Sequence, residues 1–436
     1  MQVAEALFLA RSTYSDVGEK TLAFDSSGPM RHLPFFDELA LLDDNDGNWR
    51  AVSAGLVLLR LVDAWVEEGP AVVAADGWGV RSVISAIDEM PEGLPARAIL
   101  TSALDALCSA RTGDLHLVAP RLMAYAQLLD LDGKFALAAD VYDTIIAHED
   151  PVEEHELVVN ALLRRGHCLR ELGDFAEAAD IFTTAGQLAH RYGDMIGTLR
   201  ARIGEAKIIM TRGNLPKADA ILDETAARAS EYGLNEVRSR ATQDRAHIAH
   251  MRGQYDAAVR FAYDAMRDSV SDRERDRILN DLAGSFYMLG VKSAARDAFL
   301  ILAATAREQY QRWAASINLM ELSAEDGMEL QFERYRQQLA AAALPPLLQT
   351  QFELHAGRAY QVFGRGDQAR DWLGRAHASA TRHAFNHLVF AAEEALAANE
   401  TAGRRVWQEP AAFDIPRDLK SIIQDLREMR ILSAVT

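Results

Sequence analysis

Residues 171–194 read ELGDFAEAADIFTTAGQLAHRYGD, and residues 212–233 read RGNLPKADAILDETAARASEYG. Each carries a glycine turn, Gly173 or Gly213, then a run of good helix formers, then a second glycine 20 residues after the first, Gly193 or Gly233. PEGLPARAILTSALDALCSARTGD, at 91–114, keeps that spacing through Gly93 and Gly113. Followed outward, the first glycine returns as Gly93, Gly133, Gly173, Gly213, Gly253, Gly290, Gly327 and Gly364, in four steps of 40 residues and three of 37. Five residues later stands Ala98, Ala138, Ala178, Ala218, Ala258, Ala295 or Ala369; only Gly327 is followed by something else, Phe332. A fixed period of this length predicts an array of helical hairpins, each burying its apolar face on its neighbours.

The pattern resembles the tetratricopeptide repeat (TPR), in a long-repeat bacterial form, over residues 75–385. The resemblance implies an all-α fold, a right-handed α-solenoid of tetratricopeptide-like helical hairpins. It also implies a small residue seven before the glycine, because the distance between crossing helices follows the side chains at the contact. Ala86, Ala126, Gly166, Ala206, Ala246, Ala283 and Gly357 fit that place, and Met320 does not. Nine after the glycine a large residue is implied; Tyr142, Phe182, Leu222, Phe299 and Leu373 fit, and Ala262 and Arg336 do not. The repeat at Gly327 therefore departs from the pattern, and with Pro345-Pro346 behind it a local distortion is expected.

The domain plan follows from these limits. Residues 1–47 read as an irregular N-terminal segment, and 48–92 as helices leading into the array at 93–385. The end of a terminal capping helix falls at 386–400, a linker with Pro410 and Pro416 at 401–416, and a C-terminal amphipathic helix at 417–436. In that helix Leu419, Ile422, Ile423, Leu426 and Met429 share one stripe, which must be buried on the end of the array or on a second copy, giving a homo-oligomer.

The formal charge is −18, from 46 Lys and Arg against 64 Asp and Glu. Phosphate backbones and anionic membranes both select for cations, so neither nucleic acid nor membrane is expected as a partner. Cys108 and Cys168 are too few for a disulfide framework and read as small core residues. The opening MQVAEALFLARSTYSD has no basic region ahead of its short apolar run, so a cytoplasmic protein is expected.

No catalytic motif stands out: there is no phosphate-binding loop, nucleophile elbow or dinucleotide fingerprint, so no enzyme and no cofactor are expected. HEDPVEEHE at 148–156 lacks the spacing that sets two imidazoles on one helix face, and reads as a solvated loop that caps the next helix. His247 and His250 do share a face, but no further metal ligand stands near them. Arg365-Gly366-Asp367 falls at a repeat turn, where its glycine and aspartate have backbone reasons to be.

The resemblance implies that the first helix of each hairpin lines a concave groove, through positions 13, 10, 6, 3 and 2 before the glycine. In the middle repeats these are Asn160, Leu163, His167, Arg170 and Glu171; Arg200, Ile203, Lys207, Met210 and Thr211; Arg240, Gln243, His247, His250 and Met251; and Arg277, Asn280, Gly284, Tyr287 and Met288. Arg358 holds the place six before Gly364. In the four middle repeats five Lys or Arg stand against one Glu, the reverse of the whole chain. Arg200, Arg240 and Arg277 recur at one position, unless acids such as Asp244 or Asp281 neutralise them. The mixture suits an extended acidic peptide and points to a scaffold or adaptor; the alternative is a regulatory TPR module that controls a separate effector, with an enzyme subunit ranked last.

Overall fold

The computed structural model describes residues 31–42, 47–73, 77–110, 115–150, 152–383, 385–401 and 415–433. Among them there are twenty α-helices and no strand. Three precede the regular hairpins: α1 (Leu33–Leu41), α2 (Gly47–Glu68) and α3 (Trp78–Asp88), followed by α4 (Pro95–Ser109). The hairpins pair α5 (Leu115–Leu131) with α6 (Phe135–His148), α7 (His155–Glu171) with α8 (Phe175–Arg191), and α9 (Met195–Thr211) with α10 (Leu215–Glu231). They continue with α11 (Asn235–Met251) and α12 (Tyr255–Asp268), α13 (Asp272–Met288) and α14 (Lys292–Thr305), and α15 (Gln309–Glu325) and α16 (Glu329–Ala340). Then come α17 (Pro346–Val362), α18 (Gly366–Arg382), α19 (Asn386–Thr401) and α20 (Arg417–Ser433). The chain divides into two compact units, residues 1–208 and 209–436.

The hairpin turn shows why the glycine recurs. Gly133, Gly173, Gly213, Gly253, Gly290, Gly327 and Gly364 all take left-handed φ values, between 71° and 86°, that a side chain disfavours. The amide after each glycine reaches back to close the preceding helix, Asp174 to the Leu169 carbonyl and Asn214 to that of Ile209. The same residues start the next helix, because the Asp174 and Asn214 side chains accept the amides of Glu177 and Lys217. Gly93 does not share the left-handed conformation, and Ala98 behind it is exposed rather than buried. Its turn is framed by Pro91 and Pro95 instead, so the regular turn begins one repeat later than the glycine spacing suggests.

All seven first helices, α5 to α17, have 17 residues; the second helices vary. In the three 37-residue steps the second helices are shorter, 14 residues in α12 and α14 and 12 in α16, where α8 and α10 have 17; α6 also has 14, but a longer link to α7 keeps its step at 40. Three residues are close to one helical turn, so the buried face keeps its phase.

The crossing positions are where the pattern sets them. Ala126, Ala206, Ala246 and Ala283 are buried, and Ala86 is half-buried. A Cβ on Gly166 would come within 3.0 Å of the Phe182 ring, and one on Gly357 within 2.6 Å of Leu373 Cγ. The small residue seven before the turn and the large one nine after it are thus direct partners. In the deviant repeat both exceptions are buried together: Met320 and Phe332 share one core cluster, where Phe332 packs on Tyr360 and Phe363, each with 5.3 Å between ring centroids. Phe332 supplies bulk that Arg336 cannot, and α16 is the shortest second helix, at 12 residues. Gly357→Leu is expected to lower stability by roughly 1–3 kcal/mol through overpacking, despite gaining about 1 kcal/mol of helix propensity. An unchanged denaturant midpoint would contradict this packing.

Three expectations from the sequence are corrected. Residues 33–41 form a helix inside the segment read as irregular, with Phe35 fully buried; residues 1–30 lie outside the described part. Cys108 is exposed and only Cys168 is a core residue. Helix α20 does not cap the array's end. It lies across the second helices α12 and α14 of its own unit, burying Leu419, Ile422, Ile423 and Leu426, with Met429 packed beside them. Asp418 pairs with Arg260, Asp425 accepts from Tyr263, and Arg430 reaches the buried Asp297 at 2.7 Å. The stripe that suggested a homo-oligomer is used within the chain. Most of the linker, residues 402–414, lies outside the described residues.

Candidate functional site

In unit 2 each first helix touches the next one: α11 touches α13, α13 touches α15, α15 touches α17, and α17 touches α19. Successive second helices make no comparable contact among the described residues. Elements crowd on the inner side of a curved stack, so the first helices form the inner face of this unit and the second helices its outer face.

The inner face is built from linked polar side chains. Gln243 on α11 donates to Asp281 on α13 at 3.1 Å, and His250 lies 3.1 Å from the Ser285 hydroxyl. Desolvation raises the Asp281 carboxyl above its ordinary pKa, against the pull of Gln243, His247 and His250. Desolvation lowers the His250 imidazole, and the neighbouring His247 lowers it further. Further along, Tyr287 on α13 donates to Glu325 on α15, and Lys292 Nζ sits 2.8 Å from the other Glu325 oxygen. Glu321, one turn earlier, pairs with His355 of α17 at 3.0 Å. Burial would raise the Glu321 carboxyl, but His355 and Arg358 outweigh it and hold the pKa below the ordinary value. Burial raises the Tyr287 phenol, while Arg358 pulls it the other way. An α17 charge therefore acts on an α13 side chain across the intervening α15, as an inward-curving surface allows.

Several residues expected as free groove cations are already held. Arg240 bonds Glu274 at 3.2 Å and Glu236 at 3.1 Å; these acids, rather than Asp244 or Asp281, are its partners. Arg170 pairs with Glu171 and lies 3.1 Å from the His167 ring. His167 in turn reaches Asp130 at 3.3 Å. Arg200 and Lys207 on α9 also have interactions within the chain. Asn160 and Asn280 are half-buried, whereas His247 and Arg277 are exposed.

The structure also adds residues that the sequence reading passed over. Glu321 and Glu325 stand 6 and 2 residues before Gly327, at groove positions of the deviant repeat, and could have been found by extending the register. Asp281 and His355 sit nine before their glycines, outside the five positions considered. His148 is not in a solvated loop: its Nε2 lies 2.6 Å from Asp63 on α2. The inner face is thus mixed in sign rather than cationic.

Helical hairpins joined by left-handed glycines, with small-on-large crossings, define a tetratricopeptide-repeat protein. The chain belongs to the family of the MalT-like TPR region, whose model matches residues 91–326, more than half its length. Similar solved structures include the Rap conjugation gene regulator of plasmid pLS20, in complex with the Phr* peptide. It is 14% identical, with 76% of this chain and 95% of that one covered and a TM-score of 0.47. A Rap protein complexed with Competence and Sporulation Factor is 13% identical over 90% and 99% of the two chains, with a TM-score of 0.41. A tetratricopeptide repeat protein from Parabacteroides merdae is 14% identical over 63% and 98%, also at 0.41. No curated protein matches the chain. Among the described residues no helix is long and apolar enough to cross a membrane.

Proposed function

We propose that this TPR chain is a non-catalytic scaffold whose unit 2 inner face binds an extended segment of another protein or peptide. The observation that carries this reading is the pairing of converging polar groups with uncovered methionines. Met251 and Met288 end the first helices α11 and α13, and are 52% and 48% exposed. Methionine adapts its shape to an apolar partner, while Gln243, His247 and Asn280 on the same helices offer hydrogen bonds to a peptide.

The test is capture of partners from the source organism by the full chain, quantified by mass spectrometry. The double change Met251→Glu and Met288→Glu should reduce a specific partner at least tenfold, about 1.4 kcal/mol. Leu330→Glu, at a 91% exposed position on the second helix α16, should change nothing. Partners lost with Leu330→Glu and kept by the double variant would place recognition on the outer face and sink this reading.

A further inference from the structure

The charge on the inner face is not spread evenly. Arg240 is spent on Glu236 and Glu274, and Glu325 is spent on Tyr287 and Lys292. Arg277 is exposed and solvated. Arg358 differs from both groups. It is half-buried on α17, and among the described residues no hydrogen bond or ion pair reaches its guanidinium. It stands one turn after His355, close enough to act on Glu321 and Tyr287, but the Glu321 carboxylate is already taken by His355.

A guanidinium presents five N–H donors in a rigid fork that matches a carboxylate with two parallel bonds. Held partly out of water with that fork unfilled, it gains more from an incoming carboxylate than an exposed arginine does. Beyond it the surface turns against acids, since Glu321 and Asp281 share the face and, among the described residues, no Lys or Arg forms an ion pair with either. We propose that Arg358 anchors a single carboxylate of the bound segment, either an acidic side chain or a free C-terminus, and that the rest of the segment runs across α15 without further acids. This rests on the scaffold reading above, and it narrows the ligand from an acidic peptide to one with one acid at a fixed place.

The test uses a random peptide library displayed with free C-termini and selected on the full chain. Winning sequences are then made as fluorescein-labelled peptides and titrated by anisotropy. Selected peptides should share one Asp, Glu or terminal carboxylate; amidated and free-acid forms tell a terminal from a side-chain source. Neutralising that acid in the peptide should weaken binding to the natural chain at least tenfold and binding to Arg358→Met hardly at all. Glu321→Gln, which removes a repelling carboxylate, should tighten binding severalfold, so the two protein variants move in opposite directions. Adding further acids to the peptide should weaken it.

Peptides that depend on Met251 and Met288 but ignore both Arg358→Met and neutralisation of their acid would overturn the anchor and leave the scaffold standing. If no selected peptide depends on Met251 and Met288, the scaffold reading falls and the anchor with it. If Arg358→Met does not fold, neutralising the peptide's acid on the natural chain and titrating Glu321→Gln still decide. No loss from the first, or no gain from the second, overturns the anchor.

Discussion

Replacing Asp63 by asparagine is expected to destabilise unit 1 by roughly 3–5 kcal/mol, the range for removing one member of a buried ion pair. Asp63 on α2 accepts from His148 at 2.6 Å, and from His32 and Arg31 at 3.2 and 3.1 Å. His32 also donates to Asp140 on α6, at 2.7 Å. This chain of charges pins α1 to α2 and α6. It also holds His32 in a left-handed backbone, at φ 61°, that a side chain normally avoids.

The effect should depend on pH in a definite direction. Burial would lower the His32 imidazole, but Asp140 and Asp63 outweigh it and raise the pKa to about 9. Burial would raise the Asp63 carboxyl, but His148, His32 and Arg31 hold it well below the carboxylate range. A raised histidine stabilises fully below its unfolded pKa of 6.5 and stops doing so as pH climbs through about 9. A depressed aspartate stabilises above its unfolded pKa of 3.8 and stops as pH falls further. Denaturant unfolding of the two proteins should therefore differ most between about pH 4 and 6.5, and less above pH 9. A difference that stays constant from pH 5 to 10 would contradict the network.

The second large effect concerns α20. Leu426→Asp should cost unit 2 roughly 2–5 kcal/mol, the range for emptying a buried leucine site, because the introduced carboxylate has no partner in the apolar seam. The loss cannot exceed the energy with which α20 docks, since the helix can detach. Detachment would uncover the faces of α12 and α14 and increase binding of an apolar dye. Leu432→Asp, on the same helix but 69% exposed, is the control and should leave both readouts unchanged. Equal melts for the natural chain and Leu426→Asp would show that α20 contributes nothing to unit 2.

Much of the fold was legible because it repeats. A left-handed glycine, an alanine at a crossing and a phenylalanine filling the gap each leave a mark at a fixed interval, and seven copies make the mark readable. Features that occur once left no such trace. The residues of the His32 network lie 31, 85 and 108 positions apart along its bonds, so no local pattern announces them. The stripe on α20 was readable, but its docking place was not, since apolar side chains do not specify which apolar surface covers them. For the inner face the register named Tyr287, His250 and Arg358 as candidates. Whether a given cation was spent, as Arg240 is, depended on acids one turn away and in the next repeat, which a position-by-position reading does not pair.

One feature of unit 2 also bears on how it folds. In a repeat array contacts join near neighbours in the chain, so end repeats can fray while the middle stays intact. Helix α20 breaks that locality: Arg430 bonds Asp297 across 133 residues, and Asp425 bonds Tyr263 across 162. The helices from α15 to α19 lie inside the closed loop, and the chain end beyond them is tethered. Fraying α19 or α18 then releases less chain entropy than it would at a free terminus. The tether raises the contact order of unit 2, so it should fold more slowly than an open stack of the same hairpins and unfold in fewer, more cooperative steps.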